Sequence, residues 1–403
     1  MTVRVSKPAF NLRDKLSELD KPSGLKGNEL MRSDTSQDAR DLISAGRRNK
    51  IINGAMLIDQ RNNGSSHTDS NGFHTDRFRT QAAGMDQLVQ TYQQVSDGPP
   101  GFSKSLKITT TAAESSIASS SEYVSLYQKI EGQNLQDFAY GTNSAKTITV
   151  SFYVKSSITG QFGYTIYRNE TTDRVINKFY TINNANTWER KTITVEGDTG
   201  AVIGNGVDDN WWNCWHLAAS ANYMSTESPV WANYASGTNW ASFHKENGVV
   251  TTQNATWQIT GVQIEVGENG TEFEHRSYGE ELALCQRYYI QYGPSGGLYR
   301  FPMVGECTST GVAQYPLQFP VVMRGGGTVS LTTNGSSTDY NVYSANQSKP
   351  ASSITLADSF KNGAGDLWGC RVNFNRNSND LTAGRAAQGY ASGTSILGFS
   401  REL

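Results

Sequence analysis

The sequence predicts a mainly β protein, and three observations support this fold class. The chain has 403 residues, of which 39 are glycine and only 18% are charged. Glycine together with abundant Ser, Thr and Asn favours turns and strands over long helices. Residues 147–154 (TITVSFYV) and 257–266 (WQITGVQIEV) alternate apolar and polar side chains, as strands with one buried face do. This length also favours two or three domains over one.

Residues 1–50 differ in composition from the rest and predict a short helical segment. Residues 12–19 carry leucines at helical spacing, and TSQD at 35–38 resembles a helix capping box before a second narrow apolar stripe. Two helices this short cannot bury a core of their own. The segment is therefore either a flexible lead-in or an anchor that becomes ordered on a partner. The side chains that would dock are Phe10, Leu12, Leu16, Leu19, Leu42 and Ile43.

Residues 51–270 predict one large β domain with strands separated by turn signals. The alternation in residues 147–154 places Ile148, Val150, Phe152 and Val154 on one face. Eight or so strands with turns between them favour a double-sheet jelly-roll β-sandwich. The strand candidates are 105–111, 123–130, 147–155, 162–167, 178–182, 189–195, 211–217 and 255–266.

Residues 271–284 predict a connecting seam, and residues 285–403 a smaller C-terminal β-sandwich. Two strand candidates flank the Gly-Pro-Ser-Gly-Gly run at 293–297, which predicts a hairpin there. A Ser- and Asn-rich stretch at 336–358 is typical of surface loops. The strand candidates are 287–292, 298–304, 312–319, 328–332, 339–342, 353–356, 369–374 and 395–403.

Charge and hydropathy argue against several classes of function. The formal net charge is −2, and the basic clusters are short and mixed with acids, which argues against nucleic-acid binding. No apolar run reaches the length of about 18 residues that a membrane span needs, and the first residues lack the apolar core of a signal peptide. The four cysteines are widely spaced, so we expect free, buried thiols.

The chemical motifs in the chain are weak, and they predict no catalytic residue, no metal and no cofactor. The run at 293–297 matches G-x-S-x-G, but that motif needs a following helix, and here a strand candidate follows. Asp208 and Asp209 are adjacent in a Gly/Asn loop. Three interpretations of these carboxylates remain open: a solvated surface loop, ligands of a structural cation, or the acid of a glycosidase. His67 and His74 lie in a polar loop without the spacing of metal ligands.

An aromatic cluster is the strongest candidate for a binding site. In a strand, Trp211 and Trp215 would share one face and Trp212 the other, with one face forming core. Flat aromatic rings beside amides and hydroxyls suit sugar rings, whose C–H groups stack on the aromatic face. Packing between subunits or domains, and burial in the core, are the two alternatives. The candidates for glycan contact are Trp211, Tyr223, Trp231, Tyr234 and Trp240.

Several segments resemble structural proteins of tailed phages of marine bacteria, especially cyanophage tail fibres. Residues 257–267 (WQITGVQIEVG) and 273–289 (FEHRSYGEELALCQRYY) resemble the seam that closes a jelly-roll domain in those fibres. Residues 180–184 and 186–195 are similar to the frame of jelly-roll carbohydrate-binding modules. Further similar segments are KPAFN at 7–11, GLKGNELMR at 24–32, FPVVMR at 319–324 and ILGFSREL at 396–403.

The resemblance implies a non-enzymatic virion protein located in the phage tail. It implies a homotrimer whose N-terminal segment docks on tail or adaptor proteins and whose β domains adhere to host cell-surface glycan. Two alternative functions remain open: a capsid spike or decoration protein built from the same modules, and a polysaccharide depolymerase. The depolymerase would need paired carboxylates in one cleft.

Overall fold

The computed structural model describes residues 47–117, 122–225, 230–235, 239–242, 248–293, 299–326, 328–362, 365–392 and 395–403. These residues form a mainly β protein, as the sequence predicts. The helical N-terminal anchor and its six candidate docking residues, Phe10 to Ile43, lie outside the described residues. The chain divides into one unit of Met1–Arg48 and a second of Asn49–Leu403, and the second unit contains all the elements below.

The first part of this unit carries fourteen strands among the described residues. Their bounds are β1 (Phe73–Thr75), β2 (Phe78–Ala83), β3 (Val89–Val95), β4 (Ser105–Ala112), β5 (Tyr123–Ile130), β6 (Ile148–Ser156), β7 (Gly160–Arg168), β8 (Arg174–Ile182), β9 (Glu189–Val195), β10 (Trp211–Ala219), β11 (Met224–Ser225), β12 (Ala232–Asn233), β13 (Ala241–Ser242) and β14 (Thr256–Val266). Short 3-10 helices lie at Gly132–Phe138 and Ala221–Tyr223.

Two antiparallel sheets of this part share one apolar core. One sheet has the order β1-β2-β5-β10-β7-β8-β12, and the other has the order β3-β4-β14-β6-β9. The predicted inward face of β6 is confirmed, because Ile148, Val150, Phe152 and Val154 are all fully buried. From the other sheet, Trp211 and Trp215 join the same core. The alternation predicted that they share a face but not that this face is the buried one. Strands β1 to β3 were not among the sequence candidates.

The second part forms a separate core from one helix and ten strands of the described chain. The elements are α1 (Tyr278–Gln286), β15 (Tyr289–Tyr292), β16 (Tyr299–Cys307), β17 (Val312–Met323), β18 (Ser330–Thr333), β19 (Tyr340–Ser344), β20 (Gln347–Pro350), β21 (Ser353–Lys361), β22 (Leu367–Asn375), β23 (Ala386–Ala391) and β24 (Leu397–Ser400). A third 3-10 helix lies at Ser337–Asp339. The sheet orders are β15-β24-β18 and β20-β19-β23-β16-β17-β22-β21. All four cysteines are free and buried, which confirms that prediction.

Two expectations for this part were wrong or incomplete. The predicted hairpin between the strands that flank residues 293–297 does not form, because β15 pairs with β24 whereas β16 pairs with β17 and β23. The seam contains helix α1, which the sequence reading missed. Ser277 caps it: its hydroxyl accepts from the Glu280 backbone, and the Glu280 carboxylate accepts from the Ser277 N–H. Ser-Tyr-Gly-Glu is a capping-box pattern and could have revealed the helix.

Buried ion pairs join the two cores. The Glu131 carboxylate, at the end of β5, accepts two hydrogen bonds of 2.9 Å from the Arg287 guanidinium, just beyond α1. Glu402 pairs with Arg61 and Arg77, and the Arg77 guanidinium lies 3.5 Å from the centroid of the Tyr288 ring. Because most of these charged groups are buried, each stabilises the fold only while its partner is present.

Candidate functional site

A pocket of about 310 Å³ lies on the outer face of the seven-stranded sheet that contains β10, opposite the shared core. We call it the aromatic pocket. Its lining combines six aromatic side chains with two amides, and all eight are side chains that can present a ring face or a hydrogen-bonding group. The lining residues are Gln81, Tyr123, Tyr167, Asn169, Trp212, Tyr223, Tyr234 and Trp240.

The sheet supplies the floor of the pocket through the strand alternation. Trp211 and Trp215 of β10 are fully buried in the core, so Trp212 between them faces the other side. In the antiparallel ladder Trp212 stands opposite Tyr167 of β7. Their rings meet edge to face with centroids 5.6 Å apart, a favourable arrangement for an aromatic pair.

The wall of the pocket comes from the chain between β10 and β14, which returns to the same sheet. Strand β12 pairs with β8, and the Tyr234 backbone N–H donates to the Asp173 carbonyl at 2.9 Å. This places the Tyr234 ring 4.9 Å and the Trp240 ring 5.4 Å from the Tyr167 ring. Tyr223 packs edge to face on Tyr123 at 5.4 Å. The rings therefore hold one another in fixed orientations.

Asn239 organises the wall beside Trp240. Its side-chain carbonyl accepts from the Ala235 backbone N–H at 2.8 Å, and its amide donates to the Asn233 carbonyl at 3.0 Å. Its own backbone carbonyl accepts from the Asn177 amide at 3.0 Å. Asn177 belongs to β8, so the wall is tied directly to the sheet beneath it.

A buried polar chain runs from Asn177 under the pocket to the neighbouring strands. The Thr165 hydroxyl donates to Asn177 Oδ1 at 2.6 Å and lies 2.9 Å from His216 Nε2. His216 Nδ1 lies 2.7 Å from the Ser125 hydroxyl. Since the Thr165 proton is directed to Asn177, Thr165 accepts from His216 Nε2–H. Burial lowers the pKa of His216 to about 3, so the imidazole is neutral and its Nδ1 accepts from the Ser125 hydroxyl.

Charged groups flank one side of the pocket. The Lys129 ammonium lies 3.6 Å from the centroid of the Trp212 ring and 2.7 Å from the Asp209 carboxylate. Burial lowers the pKa of Lys129, and the Asp209 carboxylate opposes that effect. The Tyr167 hydroxyl donates to Asp173 at 2.6 Å, and burial followed by this hydrogen bond raises the pKa of Tyr167. The pocket therefore offers hydroxyls and amides beside aromatic faces, with the Lys129–Asp209 ion pair next to it.

The structure separates the five predicted glycan-contact residues into two groups. Tyr223, Tyr234 and Trp240 meet in the aromatic pocket. Trp211 and Trp231 do not, because they are only 0% and 9% exposed and pack together in the core with their ring centroids 5.9 Å apart. The structure therefore does not bring these two rings to the pocket, and the fully buried Trp211 has no accessible face that could stack on a sugar.

The sequence reading missed five residues of the pocket. The strand alternation already placed Trp212 on the face opposite Trp211, which was the available signal. Tyr123 and Tyr167 alternate with buried residues in the same way along β5 and β7. Gln81 and Asn169 carried no signal, because a polar residue near a strand end is common on any protein surface.

The other motifs do not form a second chemical centre in the part of the chain that the structure describes. The Asp209 carboxylate is taken by the Lys129 ammonium. His74 is buried and stacks on Tyr92 with centroids 3.8 Å apart, while its Nδ1 lies 2.8 Å from His67 Nε2. Four of the five residues at 293–297 fall outside the described ranges. Across those ranges no group of three or more His, Cys, Asp or Glu could hold a metal ion.

Helices able to cross a membrane, by length and apolar character, are not found among the described residues.

Comparisons with known proteins identify no family for this chain. No family model matches, and no curated protein matches.

Among solved structures, the enzymatically active domain of tailspike protein 4 of bacteriophage CBA120 is 12% identical with a TM-score of 0.31, covering 54% of this chain and 21% of that one. A putative sugar binding protein from Bacteroides thetaiotaomicron is 10% identical with a TM-score of 0.31, covering 55% of this chain and 100% of that one. The family 11 carbohydrate-binding module of a Clostridium thermocellum cellulase is 10% identical with a TM-score of 0.26, covering 52% and 99%. At TM-scores of 0.26 to 0.31 the similarity is loose, so the aromatic pocket must be judged on its own geometry.

Proposed function

We propose that this chain is a non-enzymatic adhesion protein of a tailed-phage virion that binds host cell-surface glycan in the aromatic pocket. The proposal includes a jelly-roll frame for the first β domain, a trimeric tail fibre, and docking on the tail or an adaptor through residues 1–50. The resemblance to cyanophage fibres motivates the virion, tail and trimer parts. The pocket motivates the glycan part.

The observation that carries the glycan part is a preformed pocket in which six aromatic rings stand beside amides and hydroxyls. A sugar ring presents C–H groups on its faces and hydroxyls at its edge, so it stacks on an aromatic ring while its edge forms hydrogen bonds. The Trp240 ring lines this pocket, and its buried Nε1–H has no acceptor among the described residues. Many weak contacts of this kind become strong adhesion when several chains act together.

Replacing Trp240 by alanine should weaken glycan binding about 30-fold while the fold is retained. The side chain contributes a ring face to the pocket, and truncating such an aromatic anchor typically costs about 2 kcal/mol, which is about 30-fold in affinity. Binding of the full chain to an array of neutral and acidic oligosaccharides, followed by titration calorimetry with the best ligand, measures the effect.

Trp188→Ala is the matched control for this experiment. Trp188 is also half-buried, but its Nε1 donates to Asp97 and it lies beside β9, on the other sheet. We expect wild-type affinity for Trp188→Ala and a single cooperative unfolding transition for Trp240→Ala, which shows that this variant is folded. Equal affinities of Trp240→Ala and the wild type would remove the pocket from the proposal.

Deleting residues 1–48 should abolish incorporation into virions without unfolding the rest. The compact unit begins at Asn49, whose buried side chain bonds to Val262 and Ile264, so the deletion stops before it. We expect the shortened chain to keep its circular dichroism spectrum and the sedimentation mass of three chains, but to be missing from purified particles. Normal incorporation of the shortened chain would contradict docking through this segment.

A further inference from the structure

A second concave surface lies on the seven-stranded sheet of the other core. A groove of about 640 Å³ crosses the outer face of β16, β17, β22 and β21. This volume falls in the range of about 300–1,000 Å³ typical of small-ligand sites. We call it the distal groove. It is lined by Val304, Gly305, Glu306, Gln314, Pro316, Phe360 and Arg371.

The strand register arranges the groove in rows across the sheet. Glu306 stands opposite Gln314, which in turn stands opposite Asn373. The next row contains Pro316 and Arg371. Neighbouring strands lie about 4.8 Å apart, close to the length of one sugar ring, so a chain of sugars lying across the strands would present about one ring to each.

One end of the groove is an aromatic platform. The Phe360 and Trp368 rings lie 4.9 Å apart with an angle of 32°, and the Trp368 side chain is 45% exposed. The Arg371 guanidinium lies 5.4 Å from the Phe360 ring centroid. The Phe360 ring approaches Gly369 closely, and a Cβ at this position would stand 2.9 Å from the ring.

The polar groups of the groove are left available to a ligand. The Glu306 carboxylate has no hydrogen bond or ion pair with any residue in the described ranges. The Gln314 amide donates to Asn373 at 3.1 Å, which leaves its carbonyl oxygen as an acceptor. The Arg371 pair with Asp358 is long at 3.8 Å, and both side chains are about half exposed. Such an exposed ion pair contributes little to the stability of the fold, so Arg371 can leave Asp358 and donate to a ligand hydroxyl instead.

We propose that the distal groove is a second saccharide-binding site, which takes a neutral oligosaccharide lying across β16, β17, β22 and β21. Phe360 and Pro316 stack on the C–H faces of the sugars, Glu306 and Gln314 accept from hydroxyls, and Arg371 donates to them. The mixture of one free carboxylate, one guanidinium and amides favours a neutral ligand rather than a strongly charged one. This goes beyond the proposed function, because it gives each chain two independent sites and therefore higher valency.

The test counts bound saccharides on the full chain by native mass spectrometry, with neutral gluco-, galacto-, manno- and xylo-hexasaccharides as probes. The wild type should bind two per chain, and Phe360→Ala and Trp240→Ala one each. Glu306→Gln, which removes the charge but keeps an acceptor, should weaken the groove site about tenfold because a hydrogen bond to a carboxylate becomes a weaker one to a neutral amide. Calorimetry on Trp240→Ala measures this site alone.

The outcomes separate this inference from the proposed function. A count that falls with Trp240→Ala but not with Phe360→Ala overturns the groove and leaves the pocket standing. A count that falls only with Phe360→Ala supports the groove and removes the pocket. If Phe360→Ala lowers the oligomer mass with no loss of saccharide, the surface is an interface between copies and the inference is wrong. It is also overturned if none of the four probes binds in a Phe360-dependent way.

Discussion

Arg287→Met is expected to lower the free energy of unfolding by about 3 kcal/mol, one of the two largest effects anticipated for this chain. The Glu131 side chain is 0% exposed and has both carboxylate oxygens bonded to Arg287. Removing the guanidinium leaves a buried negative charge between the two cores. Because Arg287 is 25% exposed and water can enter in its place, we expect the lower end of the usual 3–5 kcal/mol range.

A double-mutant cycle with Glu131→Gln measures the coupling between the two groups. The double variant should lose less free energy of unfolding than the two single variants lose together, by about 1 kcal/mol or more. The reason is that neither charge is then left unpaired. Arg371→Met, which breaks the exposed pair with Asp358, should cost less than about 1 kcal/mol. Urea unfolding at pH 7 gives all four values. Additive losses at Glu131 and Arg287 would contradict the coupling.

Strand positions could be predicted where one face of the strand is buried. Strands β5 and β9 both have the predicted bounds. The residues of β9 alternate in exposure, whereas five consecutive residues of β5 are buried because the outer face of that strand is also covered. Pairing partners could not be predicted in the same way. Strand β15 pairs with β24, more than a hundred residues along the chain, and nothing local in residues 289–292 distinguishes that partner from its sequence neighbour. Local turn chemistry predicted the hairpin, and tertiary packing overrode it.

The binding site could be predicted only in part, and for a physical reason. The sequence showed that aromatic residues cluster at 211–240, but it did not show which rings are accessible. Trp231 looks like a loop residue, yet its Nε1 donates to the Glu196 carbonyl at 2.8 Å and the ring closes the core. Trp212, in contrast, lies within strand β10, yet its ring faces outward and lines the pocket. The deciding factor is how the chain after β10 returns over the sheet, which depends on contacts with β8 far earlier in the sequence.

Acidification from pH 8 to pH 5 should destabilise the wild type through His216 by about 2 kcal/mol. Burial lowers the pKa of His216 to about 3, against 6.5 when unfolded. Between these values the unfolded state binds a proton that the folded state does not, so stability falls as pH falls. Extra protons on His216 would also disturb its bonds to Ser125 and Thr165, and with them the support of the pocket wall.

Asp76 acts with the opposite sign over a similar range and must be separated from His216. Burial raises the pKa of Asp76 to about 6, with the Arg61 charge opposing this effect, whereas the ordinary value is 3.8. The folded state therefore holds the proton more strongly, and this group favours folding by about 1.4 kcal/mol on passing from pH 8 to pH 5. The stabilisation that protonated Asp76 contributes at low pH is lost as the pH rises from 3.8 through about 6.

The two contributions can be measured by comparing His216→Gln and Asp76→Asn with the wild type in urea at pH 8 and pH 5. Relative to the wild type, His216→Gln should gain about 2 kcal/mol between these pH values, and Asp76→Asn should lose about 1.4 kcal/mol, whatever their stabilities at pH 8. Opposite signs follow because one group is held neutral by losing a proton and the other by keeping one. If both variants kept the wild-type difference between pH 8 and pH 5, neither buried group would control acid stability. The neutral polar chain would then not explain how the pocket wall is held.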